Sequence, residues 1–295
     1  MCELLGVSKQ AYYKHTDIEL QRIVQERFVV NFIQEKRGHD PGIGGNKLWM
    51  MYRNAFGDRN SVGNNRFYDI IDRYDLKVRK IKRRVQTTHS KHNYPLYPDL
   101  TRNLLPTQPG HLMVSDITYI PYYLDPDRGL TSFCHLSIIT DYYSKEIVGY
   151  NVAPTLESKY TLQALDAALK HYARHNLTPQ IHHSDRGMQY ASYAYTSRLK
   201  SKDIAISMTE RGNPKDNAVA ERVNNTIKNE LLKGMTFVSL DEVRQAVDKA
   251  ILFYNEERPH LSLDGMTPKE AARCRGEIKK RWVSYREKAI KAFSQ

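Results

Sequence analysis

Cysteine is scarce: Cys2, Cys134 and Cys274 are the only three in 295 residues, and no Cys-x-x-Cys spacing occurs. That excludes a disulfide framework and a Cys-rich zinc module, and it is ordinary for a reducing cytosol. Long apolar runs are missing too. No stretch of about 18 apolar residues is present to cross a bilayer, and the N-terminus has no apolar signal core. The expectation is a soluble cytoplasmic protein with access to the chromosome and no membrane partner.

Acidic charge is in deficit, with 45 Lys and Arg against 33 Asp and Glu, a net charge of +12. Its distribution says more than its size. Residues 1–98 carry 18 basic and 10 acidic side chains, 99–272 carry 19 and 21, and 273–295 carry 8 and 2. Basic flanks around a near-neutral middle suit arms that grip phosphates beside a core that handles metal. Six of the eight residues from 77 to 84 are basic, including Arg79, Lys80, Lys82, Arg83 and Arg84.

A chain of this length buries a sizeable core and holds two or three modules. The first, residues 1–85, reads as helical. Residues 1–14 suggest the end of one helix, a turn at Gly6 and a short helix capped by Ser8, half of a helix-turn-helix. Residues 18–36 follow as an amphipathic helix, with Ile18, Ile23, Val24, Phe28 and Phe32 at helical spacing. After the Gly/Pro-rich break at 38–45, two more helices are expected around 47–52 and 65–71. Prolines 95, 98, 106 and 109 mark residues 86–108 as an extended linker. From 109 to 272 strands and helices alternate. Strands are expected at 111–120, 131–140, 146–153, 180–184 and 204–208, and helices at 158–173, 191–200 and 218–232. This order predicts an α/β core with a mixed sheet and helices on both faces. Residues 273–295 form a basic tail.

Three acids stand in three settings of that core. Asp116 interrupts an apolar strand, where a carboxylate is expensive to bury without a cation or donors. Asp185 ends a strand, in the position where α/β sheets present ligands. Glu221, 36 positions after Asp185, lies one turn past Asn217, which reads as the N-cap of its helix. Acids so far apart meet only through the fold, and three of them repel unless cations sit among them. Mg²⁺, a hard cation that keeps positions open for water and phosphate, is the natural counter-charge, which suggests metal-assisted phosphoryl transfer. At 100° per residue, Asn224, Asn225 and Lys228 share the face of Glu221, and Val219, Val223 and Ile227 take the opposite one. Taken singly, the acids also fit an edge-strand aspartate, a turn former and a helix-surface glutamate. His182 and His183 suit packing as well as substrate contact, and His171 with His175, lacking a third ligand motif, read as a solvated helix face.

The flanking residues decide between these readings. His-Ser-Asp-Arg-Gly-Met-Gln-Tyr at 183–190, the run Gly-Asn-Pro-Lys-Asp-Asn-Ala at 212–218 leading to Glu221, then Lys228, then Tyr254-Asn255-Glu256-Glu257-Arg258-Pro259-His260 resemble the integrase-core transposases. In particular they resemble the second reading frame (OrfB) of bacterial insertion sequences of family three. The likeness is loose over 1–85 and close from about 108 to 272.

That resemblance implies a ribonuclease-H-like core, preceded by a small helical DNA-binding region. It implies that Asp116, Asp185 and Glu221 are DDE-type catalytic residues holding two Mg²⁺ ions, replaceable by Mn²⁺. It also implies cleavage at element ends followed by strand transfer, with Lys228 holding DNA near the metals. Asn225 beside Lys228, and the basic run Arg79, Lys80, Lys82, Arg83 and Arg84, are the further candidate DNA contacts. The partners implied are double-stranded DNA at element ends and target, the first-reading-frame product or its frameshift fusion, and further copies of the chain on the nucleoid. Retroviral integrases, more distant by the same resemblance, carry a His₂Cys₂ zinc domain that three scattered cysteines do not build. Two alternatives stay open: a DNA-binding regulator of transposition inactive by itself, and a structure-specific nuclease that cuts without joining.

Overall fold

The computed structural model describes residues 8–78, 93–210 and 217–279, with isolated positions beyond. It divides into two compact units, Met1–Lys80 and Ile81–Gln295.

The first unit is helical: α1 (Lys9–His39), α2 (Gly45–Asn60) and α3 (Asn64–Arg73). Two separate helices were expected before residue 37, yet α1 runs unbroken for 31 residues. The reason is local. No glycine or proline interrupts it before Gly38, and the Thr16 hydroxyl folds back to donate to the Tyr12 carbonyl at 3.0 Å, satisfying itself within the helix. Gly6 lies outside the described residues. The apolar stripe reads differently from its periodicity as well: Phe32 is buried, but Ile18, Ile23, Val24 and Phe28 are exposed. The core is built instead by Val29, Val30 and Ile33 against Leu48, Tyr52, Phe67, Ile70 and Ile71. Buried Glu26 ties α1 to α3 through Arg73 and is also reached by Arg22 at 3.2 Å. Burial opposes its ionisation, but the two arginines outweigh it and hold the carboxyl below the usual range.

In the second unit, β1 (Leu112–Asp125), β2 (Leu130–Asp141) and β3 (Ile147–Ala153) form an antiparallel meander. α4 (Ser158–Arg174) then crosses over to β4 (Ile181–Ser184), and α5 (Met188–Ala191) and α6 (Tyr193–Lys200) lead to β5 (Ala205–Met208). β4 pairs parallel to β1, and β5 parallel to β4, giving the order β3-β2-β1-β4-β5. After it come α7 (Ala218–Thr226), a π turn at Ile227–Leu231, α8 (Leu240–Glu256) and α9 (Pro268–Ala271). This is the mixed sheet expected from the strand pattern, and its order fits the ribonuclease-H-like core that the resemblance implies.

Both faces are covered. Met113, Ile139 and Val148 pack with Ala164, Leu165, Ala168 and Leu199 of α4 and α6, while Leu112 and Val114 pack with Ala220 of α7. Of the stretch read as a linker, Tyr94 and Tyr97 pack against the first cluster, Leu104 against the second, and the Leu100 amide donates to Ser207 Oγ at 2.9 Å. A different buried acid, Asp141, closes the structure: its Oδ2 accepts from the Gly110 amide at 2.7 Å and the Tyr172 hydroxyl at 3.0 Å. Its Oδ1 accepts from the amide and hydroxyl of Ser144 at 2.8 and 2.9 Å.

Sheet and helix approach closely at Gly149, where an added Cβ would run into the Ala164 carbonyl oxygen and lie 2.6 Å from the Ala168 nitrogen. Both are backbone atoms of α4, so the helix would have to lift. Gly149→Ala is expected to cost about 1–3 kcal/mol, as overpacking does, read as a lower urea midpoint at unchanged slope. A midpoint equal to that of the parent would show that β3 and α4 separate freely.

Candidate active site

β1 and β4 run parallel with Val114 opposite His183. Carrying that register two residues further brings Asp116 and Asp185 to the same level on neighbouring strands, at the carboxyl end of β4. Asp185 is held by its own turn, where the Gly187 amide donates to Oδ1 at 2.9 Å and the Ser184 hydroxyl donates to the Asp185 carbonyl at 3.0 Å. Glu221 comes from α7, which is tied across β1 by two asparagines. Asn217 Nδ2 donates to the Ser115 carbonyl and Asn224 Nδ2 donates to Asp116 Oδ2, each at 2.9 Å. Asn217 therefore occupies the N-cap without capping by its side chain, contrary to expectation: its Nδ2 bond to Ser115 turns the side chain to the strand, and its buried Oδ1 accepts no hydrogen bond.

The three acids feel one another. Burial, then the charge of Asp185, pushes Asp116 up to about 7, against the pull of Asn224 and the Ile117 amide, with a further push from Glu221. Glu221 is raised by desolvation and then by Asp185. Such a cluster repels itself. Among the described residues no three His, Cys, Asp or Glu side chains close around a point as a finished metal site. The donor set is nevertheless all carboxylate oxygen, and the mutual repulsion is what a divalent cation reverses, so the residues fit a hard ion that keeps open positions.

Other candidates separate from this group. His182 and His183 are interior residues. His182 Nε2 lies 2.6 Å from Ser115 Oγ and 2.9 Å from the Tyr195 hydroxyl, and burial, then His183, lowers its pKa to about 3. His183 Nδ1 meets Ser207 Oγ at 2.8 Å. Packing is thus their role, and neither is open to a substrate. His171 and His175 lie with rings 4.7 Å apart, His171 being 3.4 Å from Glu146, and belong to no metal cluster among the described residues.

The expected helix to 232 runs to Leu231 but changes type: α7 gives way at Ile227 to the π turn, and Lys228 stands with its ammonium 3.6 Å from the centroid of the Tyr119 ring. Asn225 accepts from Asn229 at 2.7 Å. Arg79, Lys80, Lys82, Arg83 and Arg84 lie outside the described residues. Two features were not singled out from the sequence as belonging to the site, the Asn224 bond to Asp116 and Tyr190, whose ionisation is opposed by burial first and then by Tyr195, Asp116 and Asp185. Only the i+3 spacing of Asn224 from Glu221 hinted at the first.

Two family models described as the integrase core domain match this chain, one at residues 106–214 and one at 202–268. Among curated relatives, an uncharacterized 31 kDa protein of insertion element IS600 from Shigella sonnei is 29% identical over 91% of this chain and 96% of its own length. The transposase for IS629 from the same species is 31% identical over 65% of this chain and 62% of its own length. The putative transposase InsK for IS150 of Escherichia coli K12 is 33% identical over 58% and 57%. The chain thus spans nearly all of the first and about three-fifths of the other two. Among solved structures, the HTLV-2 integrase catalytic core in complex with magnesium aligns with TM-score 0.41 at 20% identity over 56% of this chain and 97% of that one. The simian T-cell lymphotropic virus intasome aligns with 0.47 at 17% over 82% and 77%.

Sheet order and matched domain together define an integrase-core protein. The curated proteins it resembles are encoded by bacterial insertion elements.

Proposed function

We propose that this chain is the catalytic subunit of a family-three insertion-sequence transposase, a DDE-type polynucleotidyl transferase that cuts at element ends and joins the freed strands to target DNA. The observation that carries this reading is the gathering of acids from β1, the end of β4 and α7 by the β1–β4 register and the Asn217 and Asn224 bonds, where burial and neighbouring charge raise Asp116. Asp116, Asp185 and Glu221 would hold Mg²⁺, as two ions or with Mn²⁺ in their place. Bound there, the metal supplies activation of the attacking oxygen and stabilisation of the leaving 3′-oxygen.

The chain's own groups do the positioning. Asn224 keeps one oxygen of Asp116 turned toward α7, and the Gly187 amide fixes Asp185. Water attacks first, freeing a 3′-OH at the element end. That hydroxyl then attacks a target phosphodiester in line, so no tyrosine is needed as a covalent carrier. Lys228, Asn225 and the basic run from Arg79 through Lys80, Lys82, Arg83 and Arg84 would hold phosphates. DNA, the first-reading-frame product or its fusion, and further copies of the chain are the partners this implies, at the nucleoid in the cytoplasm. Among the described residues no helix is long and apolar enough to cross a membrane.

One incubation tests the reading: protein, Mg²⁺ and a duplex carrying the element end together with target DNA. Joined product supports it, whereas binding alone would mark a regulator and cut product alone a nuclease. Lys228→Ala is expected to raise the DNA concentration needed and to lower the slope of log affinity against log salt by about 1, leaving the half-maximal Mg²⁺ concentration unchanged. A higher Mg²⁺ requirement at constant DNA affinity would instead put Lys228 to work on the metals.

A further inference from the structure

The run Tyr254-Asn255-Glu256-Glu257-Arg258-Pro259-His260 takes no part in the chemistry above, yet it is firmly built in. Asn255 accepts from the Ile147 amide at 2.9 Å and donates to the Ile147 carbonyl at 3.0 Å, fixing the end of α8 to the start of β3. Arg258, only 3% exposed, donates from Nε and Nη2 to the same Glu230 oxygen at 3.1 and 2.7 Å. Its Nη1 lies 3.2 Å from His260 Nε2, and its guanidinium is 5.7 Å from the Tyr254 ring centroid.

Glu230 lies inside the π turn Ile227–Leu231, two residues after Lys228. A π turn closes i→i+5 bonds, a geometry rare outside single-turn bulges. Continued as an α-helix, the chain would bring Lys228, seven residues on, to within about 20° of Glu221. Lys228 is the second residue of the π turn, and its ammonium rests on Tyr119 of β1.

We propose that Arg258 is a positioning residue for DNA: by gripping Glu230 it holds the π turn, and the π turn sets where Lys228 presents its charge. The run at 254–260 is thereby a brace that links the last long helix of the core to the DNA contact. This rests on the reading of Lys228 as a phosphate contact, so the test needs one arm that does not depend on DNA.

In the full chain without DNA, the rate at which an amine-reactive anhydride acylates Lys228, followed by peptide mass spectrometry, is expected to rise several-fold in Glu230→Gln. With an element-end duplex, the same variant should lose affinity and about one unit of salt slope, as Lys228→Ala does. Combining the two substitutions should add nothing, because both remove one contact. A merely structural brace would give additive losses. Arg258→Lys, which keeps the charge but not the two-nitrogen grip, is read in the same way where Glu230→Gln leaves Arg258 unpaired and the chain unfolded. Unchanged Lys228 acylation in a folded variant, or additive losses on DNA, overturns the proposal. Faster acylation in a chain whose parent neither binds nor joins DNA leaves the brace standing and removes the proposed function instead.

Discussion

Strand joining is expected to fall at least about 10³-fold in each of Asp116→Asn, Asp185→Asn and Glu221→Gln, with duplex affinity within about threefold of the parent. Metal acting on the attacking and leaving oxygens would lower the barrier by several kcal/mol, and about 4 kcal/mol is three decades in rate. Each amide keeps the volume of its acid and removes the charge a cation needs. Binding rests on phosphate contacts that these acids do not make, so it survives. Gel assays of joined product beside anisotropy titrations separate the two quantities. Any one variant that still joins at the parental rate takes that residue out of the site.

A second large effect follows from the repulsion among the acids. Asp116 stands at about 7 in the metal-free fold against an ordinary value near 3.8. The folded state thus binds its proton more tightly than the unfolded chain does. Its contribution to stability is fully present below pH ~4, fades as the pH rises and is gone above ~7. The full shift corresponds to about 4 kcal/mol; partial exposure of the group to solvent reduces this to roughly 2. Metal-free Asp116→Asn should therefore melt higher than the parent at pH 8, by about 4–8 °C for a unit of this size, with the gap closing toward pH 4.5. Millimolar Mg²⁺ should raise the parent at pH 8 and leave the variant nearly unmoved. A gap that ignores pH would mean that Asp116 is not destabilised by its neighbours.

What the sequence made legible follows the reach of each signal. The five strands and the helices at 158–174 and 193–200 fall close to their expected bounds, because β-branched runs end at glycine, proline or asparagine clusters and these are local facts. That Asp116, Asp185 and Glu221 are brought into one electrostatic group was an expectation of the motifs, since spacing alone does not say which strands adjoin. The change from α7 to the π turn was not legible. The π turn is anchored from Arg258, 28 residues beyond Glu230, and no local pattern carries that. The apolar residues of α1 misled for a related reason: the periodicity of Ile18, Ile23 and Val24 matches a buried face, but burial depends on what stands opposite. Asn217 looked like a cap from its place before the helix, and only the approach of β1 diverts its amide to Ser115.

Asp141 and Asp116 are the same residue type on paired strands of one sheet, used in opposite ways. Asp141 has four donors on two oxygens and holds together the Gly110 approach, the turn at Ser144 and α4 through Tyr172. A carboxylate so saturated is a rivet that needs no ion. With a cation held by the three acids as proposed, its removal would loosen the reactive corner while the rest of the sheet keeps its shape, so an idle copy would wait intact between rounds of work. Amide exchange in chelator should quicken around 116–118 and 185–187 long before it quickens at 141–146, and the polypeptide would thereby outlast every lapse in its supply of magnesium.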